Sequence, residues 1–207
     1  MKKKTVPKLK VPKKSVKSHP KKFAPPAKPK LSSPKKPAKA APSSKPKKAV
    51  PAKSPALPQK YSDALERIRV ILSKPAGGEA KMLEICWLLN SKFPHYNWVG
   101  VYIATGNREL ALGPFVGEAT EHVRIPFGRG ICGQAAETKK TFVVDDVSKE
   151  ANYLACSMYV RSEIVVPIIV RGEIAGELDI DSHAPNAFTK DDRAFLEKMC
   201  VLLSDVF

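Results

Sequence analysis

Cys132 stands in the stretch RIPFGRGICG (124–133), framed by three glycines, and Cys156 follows 24 residues later in YLACS. A thiolate is a nucleophile toward sulfur. A second thiol can condense with the sulfenic acid that such an attack leaves, giving a disulfide. Each thiol also has a plainer reading, a small buried residue beside a turn or in a loop. The glycines permit positive φ and close backbone approach. A helix opening just after Gly130 would lower the Cys132 pKa, and the N–H groups of Ile131 to Gly133 could receive an anion. Three acids complete the set. Asp179 and Asp181 alternate with Leu178 and Ile180 in ELDIDS, so on a strand they share one face. Two carboxylates on one face tend to raise one pKa by repulsion and leave an acid able to donate a proton, and Glu163, in RSEIVVP, is a third acid set against an apolar strand. A solvated strand face is the ordinary alternative. Trp98 and Tyr102, four apart in NWVGVY, also share a face, as pocket wall or as core. Cys86 (LEICWLL) and Cys200 (EKMCVLL) lie on apolar helical faces and read as core. No CxxC pair and no His/Cys zinc spacing is present, so no metal is expected.

These side chains need elements to hold them. YSDALERIRVILSK has helical spacing through Leu65, Ile68, Ile71 and Leu72, with Ser62 or Asp63 as N-cap, and it breaks at Pro75 and Gly77-Gly78. GEAKMLEICWLLNSKF repeats the pattern and ends near Pro94. NWVGVYIA and ELALGPFVG read as strands across a TGNRE turn, and HVRIPF as a short strand entering the glycine frame. A short helix from near Cys132 precedes the strand TFVVDDV. SEIVVPIIVRGEIAGELDIDS reads as two strands about a turn at Arg171-Gly172. FTKDDRAFLEKMCVLLSDVF opens with a Thr189–Asp192 cap and runs as an amphipathic helix. Strands joined by hairpins, with helices before and after them, predict an α+β layer design with an antiparallel sheet.

Charge divides the chain. Residues 1–60 hold 20 lysines, 13 prolines, no arginine and no acid, so the net +16 is +20 from this stretch and −4 from the rest. Like charges, prolines and few large apolar groups predict a disordered Lys/Pro/Ala-rich basic tail over 1–57, followed by one folded domain over 58–207. Its composition resembles the tails of linker histones, which implies binding to DNA or another polyanion. A solubilising extension is the plainer reading. With only Phe23 among the lysines, base stacking is not supported. The sequence has no membrane-length apolar run and no apolar stretch after the first lysines. A cytoplasmic location is therefore expected, nucleoid-associated if the tail holds DNA, with thiols kept reduced unless they are catalytic or sensing.

NWVGVY, LALGPFVG, RIPFGRGICG, YLACS, RSEIVVP and GELDIDS occur in this order, and together they resemble the free methionine-(R)-sulfoxide reductases, enzymes built on a GAF domain. The resemblance covers about 61–207 and is densest over 97–182. It implies a central antiparallel sheet of about six strands with helices on one face and a ligand pocket on the other. It also implies that Cys156 attacks the sulfoxide sulfur, that Glu163, Asp179 and Asp181 donate a proton and hold the substrate ammonium, and that Trp98 and Tyr102 enclose the substrate methyl. If the substrate lies there, the backbone N–H groups of Ile131 to Gly133 could bind its carboxylate, as helix starts bind anions. No cofactor is implied beyond thioredoxin or a similar dithiol reductant. The family's usual resolving cysteine lies ten residues before Cys132, where this chain has His122. Either Cys132 then resolves by forming a Cys132–Cys156 disulfide, or an external thiol does, or the disulfide cycle is lost.

Two other functions fit the same residues. One is a sensory GAF module that binds a small ligand without turnover, the tail supplying a nucleic-acid contact. The other is a nucleoid-associated structural protein whose folded part dimerises. A homodimer is compatible with each reading and required by none.

Overall fold

The computed structural model describes residues 56–154 and 157–207. The expected basic tail and Cys156 itself fall outside them, apart from residues 56 and 57. Two helices come first, α1 (Gln59–Ser73) and α2 (Gly78–Lys92). The strands β1 (Trp98–Thr105), β2 (Glu109–Val116) and β3 (Arg124–Pro126) follow, then α3 (Gly130–Thr138) and β4 (Phe142–Val144). A 3-10 turn at Val147–Lys149 leads on to β5 (Ser162–Val170), β6 (Glu173–Ser182) and α4 (Lys190–Leu203), with a final 3-10 turn at Ser204–Val206. The six strands form one antiparallel sheet in the order β3-β2-β1-β6-β5-β4.

Alternation along the strands gives the sheet two different faces. Val99 and Val101 of β1, Ile164, Val166 and Ile168 of β5, and Leu178 and Ile180 of β6 pack against α1, α2 and α4 in the larger core. Cys86 and Cys200 lie there, and burial pushes the Cys86 thiol up to about 12. Burial raises Cys200 as well. Both are thus core residues, as their helical positions predict. The other face carries Trp98, Tyr102 and Val165, covered by α3 through Ile131, Cys132, Ala135 and Ala136.

The helix ends show where local signals hold and where they fail. The Thr189 hydroxyl accepts from Asp192 N–H while the Asp192 carboxylate accepts from Thr189 N–H, a complete capping box on α4. α1, in contrast, starts earlier than its cap residues suggest. Its N-cap is Pro58, and Ser62 and Asp63 lie inside the helix. Tyr61 explains the shift: it is buried between Phe93 and Phe195, and its hydroxyl donates to Asp192 at 2.9 Å, so it must already be on the helix.

Candidate active site

The register brings the acids together. Across β1 and β6, Trp98 faces Asp181, Gly100 faces Asp179 and Tyr102 faces Glu177. Across β5 and β6, Glu163 faces Asp181 and Val165 faces Asp179. Because Leu178 and Ile180 point into the larger core, Glu177, Asp179 and Asp181 point to the opposite face, toward α3. All four carboxyls are at most 2% exposed. Cys132, in the first turn of α3, comes down onto them. Its thiol donates to Asp179 Oδ2 at 3.3 Å and lies 3.8 Å from Glu163 Oε1.

Four acids buried side by side disfavour ionisation. Loss of hydration is the main cause for each, and neighbouring charge comes second for Glu163, Glu177 and Asp181. Glu163, Glu177 and Asp181 are raised well above their ordinary values. Burial pushes Asp179 up to about 7, against the pull of hydrogen bonds with Cys132 and Glu163. Near neutral pH the cluster therefore holds protons. Six of its eight carboxyl oxygens have no hydrogen-bond partner among the described residues.

Aromatic rings and two loops enclose this face. The Trp98 indole folds back over Gly100, where any Cβ would collide with it, and stacks on Phe115 with centroids 5.6 Å apart. Trp98 Nε1–H donates to Glu118 O at 3.0 Å, and the Tyr102 hydroxyl donates to His122 O at 2.9 Å, which ties residues 117–123 to β1. The second loop crosses the glycine frame. Gly130 takes φ +67 with Leu154 against it, and Asn152 accepts from Gly130 N–H and donates to Gly128 O. On the other side of Cys156, the Ser157 hydroxyl reaches Glu118 at 3.5 Å. Between the loops lies a cavity of about 40 Å³, lined by Trp98, Thr120, Ser157, Val160, Asp181 and His183 among others. A roomier groove of about 580 Å³ lies on α1 and α2, beside Val70 and Trp87, and no cysteine lines it.

The GAF domain family matches residues 85–205. The free methionine-R-sulfoxide reductase of Escherichia coli is 33% identical over 146 residues, 70% of this chain and 87% of that protein. The protein of the same name from Saccharomyces cerevisiae is 43% identical over 111 residues, 52% of this chain and 61% of that protein. A crystal structure of free methionine-R-sulfoxide reductase from Neisseria meningitidis, solved with its substrate, is 36% identical and superposes with a TM-score of 0.68, covering 71% of this chain and 87% of that one. This chain belongs to the GAF-domain family of free methionine-R-sulfoxide reductases.

Most of the residues that the family resemblance marked share one face. Glu163, Asp179, Asp181, Trp98, Tyr102, Ile131 and Cys132 converge on the buried side of the sheet under α3. One expectation changes. The Gly133 N–H donates to Arg129 O at 2.9 Å inside α3, so it is not available to a substrate carboxylate. Gly133 serves packing instead, since a Cβ there would stand 2.5 Å from Pro126 O. His122 is half-buried in the 117–123 loop, and its carbonyl accepts from Tyr102. One site residue goes unmarked in the sequence reading: Glu177, fully buried two positions before Asp179. The alternation in ELDIDS that pairs Asp179 with Asp181 extends to it unchanged. The expectation of no metal rests on spacing in the chain. The fold, however, brings Cys132, Glu163 and Asp179 together with ligand atoms all within 4.8 Å of one another.

Proposed function

We propose that this protein reduces free methionine-(R)-sulfoxide to methionine by thiol chemistry. The observation that carries the reading is the buried, proton-holding carboxyl cluster beneath Cys132, in a chain of this family. The Cys156 thiolate attacks the sulfoxide sulfur. A carboxyl of the Glu163–Asp179–Asp181 group gives its proton to the sulfoxide oxygen. Oxygen passes to Cys156 as a sulfenic acid and methionine leaves, so one thiol is oxidised by two electrons and one sulfoxide is reduced by two. The Cys132 thiol then displaces the hydroxyl as water and forms the Cys132–Cys156 disulfide. A dithiol protein of the thioredoxin kind returns both thiols by exchange. Leu154 packed on Gly130 and Ser157 near Glu118 support Cys156 at this site, because they anchor the chain on either side of it. Trp98 and Tyr102 supply the wall for the substrate methyl, and carboxylates left ionised hold its ammonium.

A cavity of about 40 Å³ has room for only a water or two. Substrate would then displace the 117–123 loop on entry, and bound substrate should slow amide exchange there. A thioredoxin-class reductant and thiols kept reduced would place the protein in the cytoplasm. The basic tail adds polyanion binding independent of catalysis. Among the described residues no helix is long and apolar enough to cross a membrane.

The decisive assay supplies free methionine-(R)-sulfoxide with dithiothreitol or with a thioredoxin system. Methionine should form under both conditions. Cys156→Ser should lose turnover under both, and Cys132→Ser should lose the thioredoxin-driven reaction while retaining turnover with dithiothreitol. No methionine under either condition would overturn the reading.

A further inference from the structure

The cluster under α3 has a donor geometry that proton transfer does not require. Cys132 Sγ stands 3.3 Å from Asp179 Oδ2 and 3.8 Å from Glu163 Oε1. A four-coordinate ion with bonds of about 2.0–2.3 Å holds its ligand atoms roughly 3.3–3.8 Å apart. Both distances fall in that span. Independently, Glu163 Oε2 and Asp179 Oδ1 are buried without a hydrogen-bond partner among the described residues, and the completely buried Glu177 borders Cys132 and Asp179. Asp181, likewise unpartnered, leads from the cluster to the small cavity between the loops. No ion pair among the described residues neutralises any of the four acids.

We propose that the reduced protein binds one thiophilic divalent cation of the zinc class through Cys132, Glu163 and Asp179, and that this ion excludes the substrate. The sulfur ligand sets the selectivity. Oxygen-seeking Mg²⁺ and Ca²⁺ gain little from a thiolate, and Zn²⁺ and Co²⁺ gain much. On binding, the Cys132 thiol and any protonated ligand carboxyl lose their protons to solvent, and no electron moves. The site then reports redox state. With Cys132 in a disulfide its thiolate ligand is gone, so only the reduced protein holds the ion. The ion's occupancy would shield Cys132 from oxidation and inhibit turnover reversibly. The redox dependence rests on the proposed Cys132–Cys156 cycle. The metal site itself does not.

The test uses the full-length reduced protein without substrate. Co²⁺ should bind one per chain and give a thiolate-to-cobalt charge-transfer band, and Zn²⁺ should displace it, whereas Mg²⁺ should not. Cys132→Ser should remove the band and weaken Zn²⁺ binding at least about tenfold, and Glu163→Gln should weaken it by a similar factor. Cys86→Ser and Cys200→Ser, which alter thiols in the opposite core, should keep the band. Oxidation by substrate should abolish it. Circular dichroism of each variant checks the fold, and a rise in the melting temperature of the unmutated protein with Zn²⁺ tests binding without any variant. Absence of the band in the unmutated protein, or its persistence in folded Cys132→Ser, overturns the proposal. Methionine formation without metal binding refutes this site alone, and metal binding without methionine formation refutes the enzymatic reading alone.

Discussion

Asp179 couples the chemistry of the site to its stability. In an unfolded chain its carboxyl would titrate near 3.9. In the fold, burial pushes it up to about 7. Between those values the folded protein binds more protons than the unfolded one, so stability falls as pH rises through that window and is flat above it. Asp179→Asn removes this titration, and melting temperatures measured from pH 4 to 8 should decline less steeply than in the unmutated protein. An unchanged decline would contradict the assignment. Gly100 sets a second constraint, because a Cβ there occupies the space of the Trp98 ring. Gly100→Ala should destabilise by about 1–3 kcal/mol, the range for overpacking, and raise KM by displacing the aromatic wall. Chemical denaturation and steady-state kinetics read the two effects separately.

α4 holds the helical layer together through one buried carboxylate. Asp192 accepts from the Tyr96 hydroxyl at 2.7 Å, from Tyr61 at 2.9 Å and from the Thr189 cap, with His95 Nε2 at 3.2 Å. These contacts join α1, the α2–β1 connection and α4. Burial acts to raise its pKa, but the hydrogen bonds from His95, Thr189 and Tyr96 outweigh it and hold the carboxyl well below the usual range. The sign is opposite to that of Asp179. The stabilisation is complete above the unfolded pKa of about 3.9 and is lost as pH falls below it. Asp192→Ala leaves two buried tyrosine hydroxyls unpaired and should cost roughly 2–4 kcal/mol. Thr189→Ala removes only the cap and should cost about 1 kcal/mol. Equal losses in urea unfolding would mean that Asp192 acts only as a cap residue.

The chain as a whole combines a strongly basic stretch with a mildly acidic domain. If its tail binds polyanions by counterion release, retention on DNA should weaken steeply with salt and disappear when residues 1–57 are removed. Turnover of the shortened protein at saturating substrate should match that of the full chain within about twofold, since the buried cluster lies on elements that begin after residue 97. A large loss of turnover would mean that tail and domain cooperate.

Much of this design is local and so readable in order. Period-two alternation in ELDIDS and NWVGVY placed Asp179 with Asp181 and Trp98 with Tyr102, because neighbours on a strand must face opposite ways. The Arg171-Gly172 turn and the Thr189–Asp192 box are contacts between near neighbours. The start of α1 differs from its local cap signal because a distant partner, Asp192, requires Tyr61 on the helix and outweighs the cap preference of Ser62. Glu177 was missed for a different reason: its alternation was visible, but nothing in the chain showed that this strand face is sealed from water. RIPFGRGICG named a thiol in a glycine frame. Folding set that thiol on carboxyls 31 and 47 residues away. Strand register and the covering helix decide whether a carboxyl is solvated and ionised or buried and protonated. Both depend on contacts between residues far apart in the chain, which no local pattern contains.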